Sequence, residues 1–325
     1  MRSITAAIPR RTSAGGRGAQ RGAAVLMALF IATLATLIVT GLFWNQFIVL
    51  RTIENQQLSV QSRLLLAGSL DWARAILRAD RNAYDALSEP WAQPLAETRL
   101  DQLGETSTLA ARATIAGNIE DAQARMNLRN LVGADGGISE PDLLALRRLC
   151  ELLDLPAATA DLIAVAVIEA SAPLTNTAET GTGTITVRPL PLVYPQDLYG
   201  VRGLDPQAAA KLIPYVTVLL DSSAAVNVNT ASAEVLAARV GLTLSAARAL
   251  VAERDRSGYF VSVGDFRNRL PRQGADLDTS RISTATRFFM IRGEVRLDRA
   301  TTRMEALVQR PGGNQPVQVL WQREL

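Results

Sequence analysis

Histidine is absent from the 325 residues, cysteine occurs once, at Cys150, and lysine once, at Lys211. Without histidine, Ser-His-Asp and Cys-His nucleophile systems and His-ligated zinc sites are all excluded. A lone cysteine permits no internal disulfide, so stability must come from packing or from partners. Cys150 falls in the helical pattern of Leu143, Leu146, Leu149 and Leu153, which makes it a small buried apolar residue. Lys211 has no Ser-x-x-Lys companion. What remains for hydrolysis is paired carboxylates or a metal held by oxygen. The acidic clusters are Glu120-Asp121 and, beside Ser280, Asp276 and Asp278. Loop acids of this kind are usually just solvated, so they are weak calcium candidates, and no residue reads as catalytic.

An excess of basic charge is also missing from most of the chain. The formal charge is +3, but Arg2, Arg10, Arg11, Arg17 and Arg21 occupy the first 22 residues with no acid among them; subtracting those five leaves −2. The body is slightly acidic and has no bulk attraction for phosphate backbones.

What the sequence does have is a long uncharged run. From Ala23 to Phe43 no residue is charged, and neutral sequence continues to Leu50. At about 1.5 Å per residue this spans a hydrocarbon core of about 30 Å, so residues 23–50 read as one transmembrane segment. The run is too long for the apolar core of a secretory signal, and an uncleaved signal anchor is the plain alternative. The arginine excess keeps the N-terminus cytoplasmic and sends the C-terminal part to the periplasm.

Helical periodicity continues past the bilayer. Ile53, Val60, Leu64 and Ala67 form a stripe for packing on a neighbour or on a sheet, and the helix is expected to end near Arg78. A proline-punctuated connector, Glu89 to Leu95, follows, with Trp91 expected to close the helix against a sheet, and residues 114–132 read as one or two short strands and a turn. Ser139, Pro141 and Asp142 open a helix over about 140–154, with a second over about 157–170. Residues 171–195, rich in Ser, Thr, Gly and Pro, read as a long loop.

The period changes to two near the C-terminus. Phe289, Ile291, Val295 and Leu297 share one strand face, as do Met304, Ala306 and Val308, and then Val317, Val319 and Trp321, with Pro311-Gly312-Gly313-Asn314 as a turn. Three strands with one apolar face need a cover, and the extramembrane half of the N-terminal helix supplies it. The expected fold class is α+β: a long N-terminal helix on a small antiparallel sheet, with a large all-α insertion.

The segments DWARAILR (Asp71 to Arg78), EPWAQPL and IEDAQARMNLRNLV, in that order, resemble the signature segments of the type II (general) secretion minor pseudopilins of the protein K family. The resemblance implies a pilin-like fold divided into a leader (1–22), a transmembrane part (23–50), a periplasmic helix with first strands (51–132), an inserted helical domain (133–285) and terminal strands (286–325). It also implies cleavage by prepilin peptidase between Gly22 and Ala23. Met27 then stands at the fifth mature position, where ordinary pilins carry glutamate; a buried carboxylate without a partner costs several kcal/mol, and a tip subunit has no neighbour above it to supply one. The implied partners are minor pseudopilins I and J, with H a further candidate, the inner-membrane assembly platform, the peptidase and the bilayer. No cofactor is required, calcium is the one ion to consider, and no nucleic acid is expected.

A rival reading starts from Val226 to Phe266, which looks like a helix-hairpin-helix module with Ser232 capping the first helix, Gly241-Leu242-Thr243 as the hairpin and Leu244 to Asp255 as the second helix. Asp197 to Pro206 repeats the idea. Such modules often grip DNA, so a membrane-anchored periplasmic DNA-binding or uptake protein is the alternative. Against it, Thr243 stands where a second glycine usually lets amides approach a phosphate. Arg239, Arg248, Arg254 and Arg256 are also interleaved with Glu234, Glu253, Asp255 and Asp265, as on a solvated mixed face.

Overall fold

The computed structural model describes residues 17–104, 107–171, 189–270, 279–312 and 315–325, and the chain divides into two units, Met1–Val60 and Gln61–Leu325. The described part of the first unit is entirely helix, belonging to α1 (Arg17–Ala79). This helix is long and apolar enough to cross a membrane. Threonine hydroxyls within it need partners that hydrocarbon cannot provide, and they find them in their own helix. Thr33 donates to the Phe30 carbonyl at 2.9 Å, Thr36 to Ala32 at 2.8 Å and Thr40 to Thr36 at 2.7 Å. The first charges beyond the uncharged run, Arg51 and Glu54, pair with each other at 3.1 Å.

In the second unit α1 is followed by β1 (Leu95–Arg99), β2 (Ala113–Asp121) and β3 (Met126–Asn127). A mainly helical stretch then carries α2 (Glu140–Leu152), α3 (Ala158–Ser171), α4 (Pro206–Leu212), β4 (Val216–Thr217), β5 (Val226–Asn227), α5 (Ala233–Val240), α6 (Leu244–Ser257) and α7 (Val263–Arg269). The chain returns through β6 (Ile282–Ser283) to β7 (Phe288–Leu297), β8 (Ala300–Gln309) and β9 (Gln318–Glu324).

The main sheet is antiparallel with order β1-β2-β7-β8-β9. It joins the three strands read from C-terminal periodicity to β2, within the segment expected to hold one or two short strands, and to β1. β2 pairs with β7 in unbroken register from Ala113↔Leu297 to Asp121↔Phe289, joining strands that lie on either side of the helical stretch. One sheet face, carrying Ile115, Ile119, Phe289, Ile291, Val295, Met304, Ala306 and Val308, is covered by Leu66, Leu70, Ala73 and Leu77 of α1. Their spacing of four, three and four residues is that of one helix face. Gly117 and Gly293 pair across β2 and β7, and a Cβ at Gly117 would lie 2.6 Å from the Arg292 carbonyl oxygen, so the glycine lets the two strands approach there. Trp91 closes the end of this layer edge-on against Phe289, ring centroids 5.1 Å apart.

Two expectations need correction. The first concerns β9, whose Val317, Val319 and Trp321 do not share a face. The register slips between Leu307↔Trp321 and Val308↔Val319, and the additional residue, Leu320, turns Trp321 to the opposite side. There it meets Tyr194 edge-on at 4.8 Å, while Val317 stays under the helix. The second concerns the insertion, which is not purely helical. Short parallel pairs, β3 with β4 and β5 with β6, stitch its ends together. The Gly313-Asn314 part of the expected turn lies outside the described residues.

The helical block has its own core, in which Leu146, Leu149, Cys150, Ile163, Leu198, Leu212, Leu236, Phe260 and Phe266 are fully buried. The α5–α6 connection follows from local chemistry. Ser232 accepts from the Val235 amide, Gly241 ends α5 in the left-handed region at φ 75°, and Thr243 caps α6 by accepting from the Ala246 amide. Thr243→Ala should cost about 1 kcal/mol in urea denaturation, while Thr243→Ser should be nearly silent. A loss of the same size in Thr243→Ser would show that the methyl, not the cap, matters.

Candidate functional site

The resemblance-derived positions Gly22, Ala23 and Met27 all lie in α1, with Met27 exposed in the helix and no carboxylate from Ala23 to Leu50. Of the stripe expected to pack on a neighbour or a sheet, the part in the second unit does not face the sheet. Leu64 and Ala67 point away from the sheet, which is covered instead by the Leu66-to-Leu77 set. Leu64 is 67% exposed and Trp72 46%, and with Ala67 and Gly68 they form an apolar face opposite the buried one. Beside it, a groove of about 310 Å³ opens between α1 and the sheet, lined by Trp72, Ile76, Leu95, Ile115 and the paired glycines 117 and 293.

Where the sheet ends, a buried polar junction joins segments far apart in sequence. Asp85, in the connector after α1, accepts from the Thr286 amide at 2.7 Å and from Arg310 at 2.5 Å, and Arg310 also holds Asp80 at 2.7 Å. The amide of Asn227, at the start of the α5 region, donates to Asp121 of β2 at 2.8 Å and to the Asp85 carbonyl at 3.1 Å. Thr230, the Gln123 amide and the Thr286 side chain also hydrogen-bond Asp121. Gln123 in turn accepts from the Arg287 amide and donates to the Ala225 carbonyl. Burial pushes the Asp85 carboxyl up to about 6 against the opposing pull of Arg310, and burial likewise raises Asp121, which has neutral donors only.

Glu120 and Asp121, weak candidates for calcium in the sequence, each bond to side chains of the protein itself. Asp121 sits in the junction, and Glu120 takes Arg292 at 2.5 Å and Arg125 at 2.8 Å. Burial opposes ionisation of Glu120, but the two guanidiniums prevail and hold its carboxyl below the usual range. Asp276 and Asp278 lie outside the described residues.

The arginines of the α5–α6 region divide in a way that alternation of charges did not reveal. Arg248 is exposed and reaches Glu234 at 3.5 Å, as a mixed surface requires. Arg254, in contrast, is buried and donates to the carbonyls of Val228 and Ala231, at 3.0 and 2.9 Å, tying α6 to the turn before α5. Arg239 is buried against Asp142, 2.7 Å away, and Arg281 approaches the other Asp142 oxygen at 2.5 Å. Ser139 donates to Asp142 at 2.6 Å and does not cap α2 with its side chain. At the hairpin, the Arg148 guanidinium lies over Gly241, 3.0 Å from where a Cβ would be. Cys150 is buried, and burial pushes its thiol up to about 12, so it is no nucleophile.

A helix whose N-terminal part is suited to a single-pass anchor, and an antiparallel sheet covered by Leu66 to Leu77 and interrupted by a helical block, are the parts of a pilin-like architecture. Comparison with known proteins makes this specific. Two family models described as type II secretion system protein K match residues 124–221 and 226–285. Type II secretion system protein K of Pseudomonas aeruginosa is 28% identical over 305 residues, covering 86% of each chain. A chain in the crystal structure of the GspK-GspI-GspJ complex from the enterotoxigenic Escherichia coli type 2 secretion system superposes with TM-score 0.63 at 22% identity, over 83% of this chain and 98% of that one. These matches support a type II secretion protein K minor pseudopilin, to whose family models and relative this chain is similar. The DNA-uptake alternative is not favoured by these matches.

Proposed function

We propose that this chain is the tip subunit of a type II secretion pseudopilus, a structural and non-catalytic component that initiates assembly with minor pseudopilins I and J, and with H as a further candidate, and caps the finished filament. Prepilin peptidase cuts between Gly22 and Ala23, and the mature helix stands in the bacterial inner membrane, at the assembly platform, with the rest of the chain in the periplasm. A neutral Met27 suits a subunit with no neighbour above it. The observation that carries the reading is the exposed apolar face of Leu64, Ala67, Gly68 and Trp72 on a helix whose other face is already committed to the sheet. In water such a face lacks a partner, and another helix can bury it. The partners I and J are those named with the similar solved structure. In the bilayer, Gly41 and the small residues Ala32, Thr33, Ala35 and Thr36 offer close approach, which is what helix association in lipid uses.

The test is co-purification of the 45–325 fragment with periplasmic fragments of candidate I and J subunits. Leu64→Glu/Trp72→Glu should reduce capture by about tenfold or more, while the urea midpoint stays within about 1 kcal/mol of the parent because both side chains are exposed. Undiminished capture would remove this face from the assembly. N-terminal mass analysis of the protein from membranes with active prepilin peptidase should give a chain starting at Ala23; an intact Met1 would overturn the cleavage.

A further inference from the structure

The junction at the end of the sheet does more than fill space with hydrogen bonds. Asp85 is fully buried, yet its carboxylate meets a cation on one side only, and Asn227 joins its backbone to a second buried carboxylate, Asp121. The segment that Asp85 grips, Thr284 to Thr286, is the return from the helical block into β7: Asp85 donates its amide to the Thr284 carbonyl at 2.9 Å and accepts from the Thr286 amide. Above the junction lies a cleft of about 380 Å³ lined by Asp80, Thr286 and Arg310, the residues that surround Asp85.

We propose that the junction of Asp85, Arg310, Thr286, Asn227 and Asp121 is a proton-responsive latch that holds the helical block's return segment on the sheet, closing more firmly when Asp85 carries a proton. Every charged group facing Asp85 has been placed. Arg310 and Asp80 come from the end of β8 and the end of α1, Asp121 from β2, and Glu89 from the same connector, where Trp91, Ala86 and Asn82 saturate it. Arg78, Arg81 and Arg287 are exposed on the cleft rim, with Arg287 engaged by Asp221.

A neutral Asp85 still accepts from the Thr286 amide through its carbonyl oxygen, no longer repels Asp121, and sheds the cost of a buried charge. Arg310 keeps Asp80 and the Thr286 carbonyl. The open latch hydrates Asp85 and returns it toward its ordinary acidity, so the closed form binds the proton more tightly and proton uptake favours closing.

Amide hydrogen exchange of the full chain in detergent micelles, corrected for intrinsic rates, tests this directly. The Thr286 and Gln123 amides should gain about tenfold protection between roughly pH 7.5 and pH 5, while Leu143, in α2, changes little. Asp85→Asn, which mimics the neutral carboxyl, should hold the Thr286 amide, which donates to this side chain, at the acid level of protection throughout. In the parent protein, the side-chain carbon of Asp85 should titrate together with the protection. A flat profile in the parent, a persistent tenfold change at Thr286 in Asp85→Asn, an equal change at Leu143, or an Asp85 titration in the ordinary carboxylate range would each overturn the latch.

Discussion

Replacing Arg310 by methionine should cost about 3 to 5 kcal/mol at neutral pH, because it leaves Asp85 and Asp80 buried without their shared cation. Methionine keeps much of the side-chain volume, including the contact over the Phe289 ring, so the loss is electrostatic more than steric. The pH dependence identifies the cause. In the parent protein Asp85 titrates near 6 when folded against 3.8 in its ordinary state. A carboxyl raised in this way contributes stability that is fully present below the unfolded value and is lost as pH rises through about 6. Fully buried Asp121 acts in the same direction. Opposing them, Glu120 and Glu305 are held below the usual range by their arginines despite burial, and Asp221 by hydrogen bonds from Ser223 and then by Arg287, so their contributions fade as pH falls into the carboxylate range. The parent should therefore be most stable in mild acid. Removing Arg310 removes a group that lowers Asp85, so the deficit of Arg310→Met should be largest at neutral pH and shrink on acidification. Urea denaturation at about pH 7.5 and about pH 5 would show it; an equal deficit at both would mean that packing, not charge, was lost.

The features legible in the sequence were those with local causes. A long uncharged run, helical spacing through α2 and α3, a Gly-Leu-Thr connection between α5 and α6, and alternation in β7 and β8 each depend on residues within a few positions of one another. β9 misled because one bulged residue reverses every side chain beyond it, and nothing in Val317 to Trp321 marks the slip. The stripe on α1 was seen but could not be assigned, since leucines occur on both faces and only the sheet decides which face it takes. The junction was invisible for a different reason. Asp85 and Thr286 lie 201 positions apart and Asp121 and Asn227 lie 106 apart, so no window of sequence contains a pair. Arg254 and Arg239 looked like surface charges for the same reason: their partners are carbonyls and a carboxylate supplied by other elements.

The same long-range logic governs the second large effect, at Asp142. Its two oxygens are divided between Arg239 and Arg281, Ser139 donates to it, and both Asp142 and Arg239 are almost completely buried. Asp142→Ala removes the carboxylate 2.7 Å from the Arg239 guanidinium in the contact between α2 and α5, and about 3 to 5 kcal/mol should be lost, or a fall of roughly 10 °C in melting temperature. The double replacement Asp142→Leu/Arg239→Met should recover most of that loss, because it removes the buried charge and restores apolar volume between two helices that already pack through Leu146 and Leu236. Arg281 is partly exposed and can hydrate once Asp142 is gone. A double variant as unstable as the single one would mean that the ion pair itself specifies how α5 docks on α2, and that the apolar contacts around it do not suffice.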